Sequence, residues 1–304
     1  MTAGIARVTV LTNPASGHGN ARHAAERAVV QFQRRGVDVV EIVGTDADHA
    51  RRLLRDALDR GTDALAVVGG DGVISVALQE IACTDVPLGI VPAGTGNDHA
   101  REYGIPTEPE AAADVVVDGR VETVDLGRIE TDSGMRKWFG TVMAAGFDSL
   151  VSDRTNRMRW PHGRMRYNVA MIAELSKLRL LPFRLVLDGR EEITCELTLA
   201  AFGNTRSYGG GMLICPRADH ADSLLDITMV QSASRARLLR LFPRVFRGTH
   251  VDLDEVSTAR ARSVRVECPG INAYADGEFA YPLPVEVSAV AGALRILVPS
   301  PRPG

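Results

Sequence analysis

No run of apolar residues in the 304-residue chain is long enough to cross a bilayer as a helix, so any encounter with a membrane is expected from outside. The start, Met1 to Val10, lacks the charged segment followed by a long apolar one that marks a secretory leader. A basic excess is missing too. Lys and Arg number 35 against 38 Asp and Glu, and the net charge of −3 sets aside a protein whose main partner is nucleic acid. Cysteine is scarce: Cys83, Cys195, Cys215 and Cys268 are widely spaced, with no Cys-x-x-Cys pair, which excludes a disulfide scaffold and points to the reducing cytoplasm. Neither common nucleotide motif is present, since there is no Gly-x-x-x-x-Gly-Lys-[Ser/Thr] run and no Gly-x-Gly-x-x-Gly after the first strand candidate. The histidines show no metal-ligand spacing, and His99, which follows Asn97-Asp98 at a helix start, is expected on a helix surface.

What is present is enough for two cores. The first 120 or so residues alternate β-branched runs with helical stretches, the pattern of parallel strands joined by crossover helices. Strands are expected at Arg7 to Leu11, Val37 to Val43, Ala64 to Val68 and Pro87 to Val91, with helices at Ala21 to Arg35 and Asp48 to Arg60. From about Val121 the texture becomes mainly antiparallel β, with strands at Arg184 to Leu187, Ile193 to Phe202, Leu225 to Val230, Ser263 to Glu267 and Val285 to Ala289. Two helical islands, Met165 to Leu178 and Ser234 to Phe246, interrupt it. The fold class is therefore an open, mostly parallel α/β domain over residues 1–127, to which residues 290–304 return, and a β-rich domain over 128–289.

In parallel sheets ligands collect beyond the carboxyl ends of the strands. Three of the four strand ends carry glycine loops: Asn13-Pro14-Ala15-Ser16-Gly17, Gly69-Gly70-Asp71-Gly72, and Pro92-Ala93-Gly94-Thr95-Gly96-Asn97-Asp98. Glycine lets backbone N–H groups approach an anion, and the helix that starts after each loop adds its N-terminal dipole, which together suit a triphosphate. Any one loop alone is equally a tight turn. Asp71 is the sharper clue, because a carboxylate beside a phosphate cradle calls for a cation between them, which implies magnesium. The structural alternative is a cap on the helix beginning near Val73.

Taken in order, Asn13-Pro14-x-Ser16-Gly17, Gly69-Gly70-Asp71-Gly72 and Gly94-Thr95-Gly96-Asn97-Asp98 resemble the catalytic domain of the diacylglycerol kinase and sphingosine kinase family, especially its soluble bacterial lipid kinases. Phe202-Gly203-Asn204, Gly209-Gly210-Gly211-Met212, Pro216, Ala218 and Asp222 to Asp226 are similar to the family's central segment, and Asp276-Gly277-Glu278 to its late catalytic signature. The resemblance implies an ATP-dependent lipid kinase with catalysis in a cleft between two domains. It assigns ATP to Asn13, Pro14, Ala15, Ser16, Gly17, Thr45, Gly69, Gly70, Asp71, Gly72, Gly94, Thr95 and Asn97, with Asp71 near the phosphates and their magnesium. It makes Glu278 the general base that takes the proton of the lipid hydroxyl, and it implies a further magnesium held by Asp222 and by groups at Asp219 and Leu224. A homodimer and a cytoplasmic enzyme at the inner face of the membrane follow from the same likeness.

The chemistry agrees, since an alcohol is a poor nucleophile without a carboxylate to take its proton, while the transferring phosphoryl needs positioning and positive charge. From the tripeptide alone, Asp276-Gly277 reads as a hairpin turn with Glu278 a solvated strand residue. The family pattern is broken at Val73, where it has Thr, at Val76, where it has Glu, and at Ser223, where it has Gly. Those losses motivate one rival, a nucleotide- or lipid-binding regulatory protein; the other is an NAD kinase, which shares the Gly-Gly-Asp-Gly loop. Membrane docking is expected at Arg154 to Arg166, with Arg157, Arg159, Trp160, Arg164 and Arg166, ahead of Arg235 to Arg247, with Leu238, Leu239, Leu241, Phe242 and Phe246.

Overall fold

The computed structural model describes residues 4–12, 20–158, 179–231, 234, 237 and 242–300. The chain forms two compact units, one of Met1–Leu126, Gly209–Gly211 and Val290–Gly304, the other of Gly127–Tyr208 and Met212–Ala289.

The first unit alternates strand and helix: β1 (Arg7–Thr12), α1 (Asn20–Arg34), β2 (Asp38–Val43), α2 (Ala47–Asp59), β3 (Ala64–Gly69), α3 (Asp71–Ile81), β4 (Leu88–Pro92), α4 (Asp98–Glu102) and α5 (Pro109–Asp118). The strands pair in the order β2-β1-β3-β4, all parallel. Every residue of β3 and β4 is buried, as a central strand covered on both faces must be, and both are continuous apolar runs. Because β2 and β3 flank β1, right-handed crossovers send α1 to one face and α2 and α3 to the other. α1 accordingly packs with α5, and α2 with α3. Arg27 pairs with Glu110 at 2.6 Å across the first pair of helices, and Arg51 with Glu80 at 2.6 Å across the second. The strand order reverses between β1 and β3, so the loops after these two strands flank the switch point where such sheets take ligands.

The second unit holds the end of β5 (Arg120–Glu130), then β6 (Arg136–Phe139), β7 (Val142–Gly146), α6 (Phe147–Arg157), β8 (Leu181–Leu187), β9 (Glu191–Leu197), β10 (Leu199–Gly203), β11 (Leu225–Val230), β12 (Val256–Ala261), β13 (Ser263–Glu267), β14 (Asn272–Ala275), β15 (Glu278–Pro282) and the first part of β16 (Val285–Val298). Its strands form two antiparallel layers. One runs β16-β13-β8-β9; the other is β12-β11-β10-β7-β14-β15. Phe183, Leu185, Val264, Val266, Val285 and Val287 of the first layer share one core with Met143, Ala145, Ala200, Phe202, Ile227 and Ala273 of the second. This half is a β-sandwich. The other face of β7 and β10, with Val142, Ala144, Leu199 and Ala201, packs against Ile214, Cys215, Ala218 and Val245.

Two strand readings are corrected. Ile193 to Phe202 is not one strand: it divides at Thr198, which lies between β9 and β10, and the two pieces join different sheets. The half-exposed alternation of β9 gives way there to the fully buried run of β10. Val285 to Ala289 continues to Val298 as one 14-residue strand, and its later part lies parallel to β4, with Ile296 opposite Leu88. Met165 to Leu178 lies outside the described residues, as do six of the thirteen residues of Ser234 to Phe246.

Candidate active site

In the first unit the loops after β3 and β4 touch. A Cβ on Gly94 would stand 2.5 Å from the Gly70 Cα, so neither loop has room for a side chain there. Asn97 adopts a left-handed conformation, with φ of 52°. Its side chain accepts from Gly94 N at 2.9 Å and donates to Gly94 O at 3.0 Å, closing the loop on itself. A Cβ on Gly96 would lie 2.9 Å from an Asp71 carboxylate oxygen. Gly70, Gly94, Gly96 and Asn97 are thus brought around Asp71. Thr95 is exposed at the loop tip, and the other side of Gly69 is closed by Val73, whose methyl would meet a Cβ at 2.9 Å.

Asp71 is the first residue of α3, and no side chain caps that helix. Its carboxylate accepts instead from His99 N at 3.2 Å and meets the His99 ring nitrogen Nδ1 at 3.0 Å. The capping alternative therefore gives way to a contact across 28 residues of sequence. Burial pushes the Asp71 carboxyl up, but the hydrogen bond and charge of His99, with the backbone N–H groups of His99 and Asp98, outweigh it and hold the group at about 2. An anion is fixed among the glycines.

His99 itself is 1 % exposed, which corrects its expected place on a helix surface. Sequence reasoning also passed over Asp98 as a separate functional group. Asp98 is buried and accepts from Gly210 N at 2.7 Å, Gly211 N at 2.8 Å and the Arg101 guanidinium at 2.6 Å, while Arg101 also donates to Gly96 O at 2.8 Å. The legible signal was the Gly209-Gly210-Gly211 run itself, whose freed N–H groups need an acceptor. Thr45 is exposed after β2, and its hydroxyl bonds locally, 3.0 Å from His49 Nδ1. Asn13, Pro14, Ala15, Ser16 and Gly17 lie outside the described residues.

In the second unit Asp276 and Gly277 form the two-residue turn between β14 and β15, both with positive φ, 51° and 79°. Asp276 is no solvated turn residue. It is buried and accepts from Gly140 N at 3.0 Å, Thr141 N at 2.8 Å and the Thr141 hydroxyl at 2.6 Å. Glu278, the next residue but one, stands exposed as the first residue of β15. The turn is anchored and its carboxylate is presented.

The Asp219 to Leu224 loop has a different character. Asp219 accepts from Ala221 N at 3.0 Å and Asp222 from Leu224 N at 3.0 Å, and Ser223 takes a positive φ of 62° where the family pattern has glycine. The second oxygen of Asp222 is held by Arg260, which also bonds Asp226 at 3.1 Å. A cation there would have to displace a guanidinium. Among the described residues no three His, Cys, Asp or Glu side chains are grouped to hold a metal, and no helix is long and apolar enough to cross a membrane.

Comparison with known proteins matches residues 7–129 to the diacylglycerol kinase catalytic domain and residues 141–298 to the YegS C-terminal NAD kinase beta sandwich-like domain. A diacylglycerol kinase of Mycobacterium tuberculosis (strain ATCC 25618 / H37Rv) is 70% identical over 296 residues, covering 97% of this chain and 96% of that protein. One from Bacillus subtilis (strain 168) is 25% identical over 301 residues, covering 97% of each. Among solved structures, a crystal structure of a diacylglycerol kinase from Bacillus anthracis str. Sterne superposes with a TM-score of 0.72 at 18% identity, covering 98% of both chains. Another from the same organism reaches 0.80 at 21%, covering 98% of this chain and 97% of that one.

Proposed function

The chain belongs to the diacylglycerol kinase catalytic-domain family, and from that premise we propose that it transfers the γ-phosphoryl group of ATP to the free primary hydroxyl of a diacylglycerol. It is a lipid kinase by family, with ATP as the implied donor and a lipid as acceptor. The observation that carries the assignment of residues is the Asp71 carboxylate, held as an anion by His99 inside the Gly70, Gly94 and Gly96 contacts. A partly buried carboxylate so fixed is a donor for a hard cation, and magnesium bound there would neutralise the triphosphate and the charge of the transferring group. Asn13 to Gly17, Thr45, Gly69 to Gly72, Gly94, Thr95 and Asn97 would then contact ATP.

Glu278 is assigned the proton. Its exposed carboxylate takes it from the lipid hydroxyl as the oxygen attacks the γ-phosphorus, and Asp276 keeps the turn that presents it rigid. Asp219, Asp222 and Leu224 are kept as a second magnesium site, open to the ion once Arg260 lets Asp222 go; no step depends on it.

Peripheral contact with the inner face of the membrane is proposed through Arg157, Arg159 and Trp160; Arg159 and Trp160 lie outside the described residues. Liposome sedimentation tests it, and equal binding by a Trp160, Arg157 and Arg159 alanine variant removes that segment. A homodimer is proposed as the assembly, to be read by light scattering.

The function is tested by offering ATP labelled in the γ-phosphate, with magnesium, to dispersed diacylglycerol, other lipids and NAD. Label in diacylglycerol is expected, and Glu278→Ala should lower turnover ~100-fold or more while ATP still binds. Label only in NAD overturns the lipid acceptor, and unchanged turnover in the variant removes Glu278 from the mechanism.

A further inference from the structure

The second unit carries a lysine where its strand pattern calls for an apolar residue. Along β6 the side chains alternate, with Arg136 and Trp138 on one face and Lys137 and Phe139 on the other. Phe139 and Ile129, the residue of β5 opposite Lys137, are both fully buried in the sandwich core, so Lys137 is on the inward face. Its ammonium donates to the carbonyl of Phe279 at 2.6 Å, and the Tyr281 hydroxyl donates to Arg136 O at 3.0 Å. Two side chains thus tie β15 to β6, and one of them grips the carbonyl of the residue that follows Glu278.

We propose that Lys137 is a positioning residue for phosphoryl transfer: bonded to the carbonyl beside Glu278, its ammonium sets where that carboxylate stands and gives it a fixed positive neighbour. The inference rests on Glu278 being the base. The charged groups acting on Lys137 are Asp276 and Glu278, both from the β14–β15 turn. β5 places Ile129 opposite it, while Arg128 and Glu130 lie on the other face, over Trp138 and paired with Arg136. Burial lowers the pKa of Lys137 and the two carboxylates oppose that, so the ammonium loses its proton earlier than an exposed lysine would.

Steady-state kinetics of the full chain, with ATP, magnesium and dispersed diacylglycerol, compare Lys137→Met, Lys137→Arg and Glu278→Gln across pH, alongside thermal melts. Loss of the tie should lower kcat ~100-fold in Lys137→Met with the KM for ATP unchanged. Lys137→Arg should restore most of kcat and carry activity to higher pH than the natural enzyme, because a guanidinium keeps its proton. Natural kcat in Lys137→Met overturns the proposal, as does an alkaline limb that Lys137→Arg leaves in place. Equal losses of kcat and melting temperature in both lysine variants reduce the residue to a structural tie and overturn it too. Glu278→Gln at the natural rate removes the base on which the inference stands, whereas an impaired Glu278→Gln beside a normal Lys137→Met removes Lys137 alone.

Discussion

Asp98 in the first unit and Asp276 in the second are both buried aspartates that work as fasteners, and the two are satisfied in different ways. Asp98, in the first, accepts from two glycine N–H groups more than a hundred residues along the chain and from the Arg101 guanidinium. Asp276, in the second, accepts from two N–H groups and a hydroxyl, all from Gly140 and Thr141. Both lie near the group assigned the chemistry, Asp98 next to His99, which holds Asp71, and Asp276 two residues from Glu278. A motif acid is therefore not a reactive acid by default. Burial separates them: Asp98 and Asp276 are buried, while Asp71 keeps partial access and Glu278 is exposed.

The contrast can be broken at its stronger end. Asp276→Ala would leave the Gly140 and Thr141 donors buried without their acceptor and should cost about 4 kcal/mol of stability, measured by urea denaturation, with turnover falling in step. Asp98→Asn is milder, because the amide oxygen still accepts one of the glycine N–H groups. A loss of ~1–2 kcal/mol is expected, with the KM for ATP raised more than kcat is lowered, since the loops around Asp71 loosen. Equal costs for the two variants would show that an amide cannot stand in for the carboxylate and that the Arg101 ion pair carries much of the fastening at Asp98.

The smallest effect concerns pH. The folded-state pKa of Asp71, about 2, lies below the ordinary 3.8, so its stabilising contribution is complete above 3.8 and is lost as pH falls toward 2. The natural protein should exceed Asp71→Asn in stability at pH 5, and the gap should narrow by pH 3. A constant gap would mean that the His99 contact does not favour the ionised carboxylate.

Much of the first unit was legible because its strands are continuous apolar runs ended by glycine. β3 and β4 came within a residue of their expected bounds. The placing of His99 failed for a physical reason. α4 has only five residues, too few for a periodicity to show which face is covered, and the partner of His99, Asp71, lies on another helix. The Ile193 to Phe202 reading failed because both pieces are strands, and the break shows only in the change from alternating to continuous apolar character. β16 was cut short because Ser288 to Gly292 interrupts its pattern, with Gly292 at a φ of 59°. Lys137 carried no signal, since its meaning depends on the carbonyl of Phe279, 142 residues away.

The pairing of β16 with β4 has a consequence for how the molecule is made. Synthesis delivers β1 to β4 early, but the strand that lies along the outer side of β4 belongs to Val290–Gly304, and the glycines that Asp98 grips arrive with Gly209–Gly211. Until then the nascent first unit presents a fully apolar strand with an open hydrogen-bonding edge, the kind of surface that recruits other chains. A fragment ending at Leu126 keeps that edge for good, so the first unit cannot be excised by one cut; it has to be built by joining residues 290–300 back onto it.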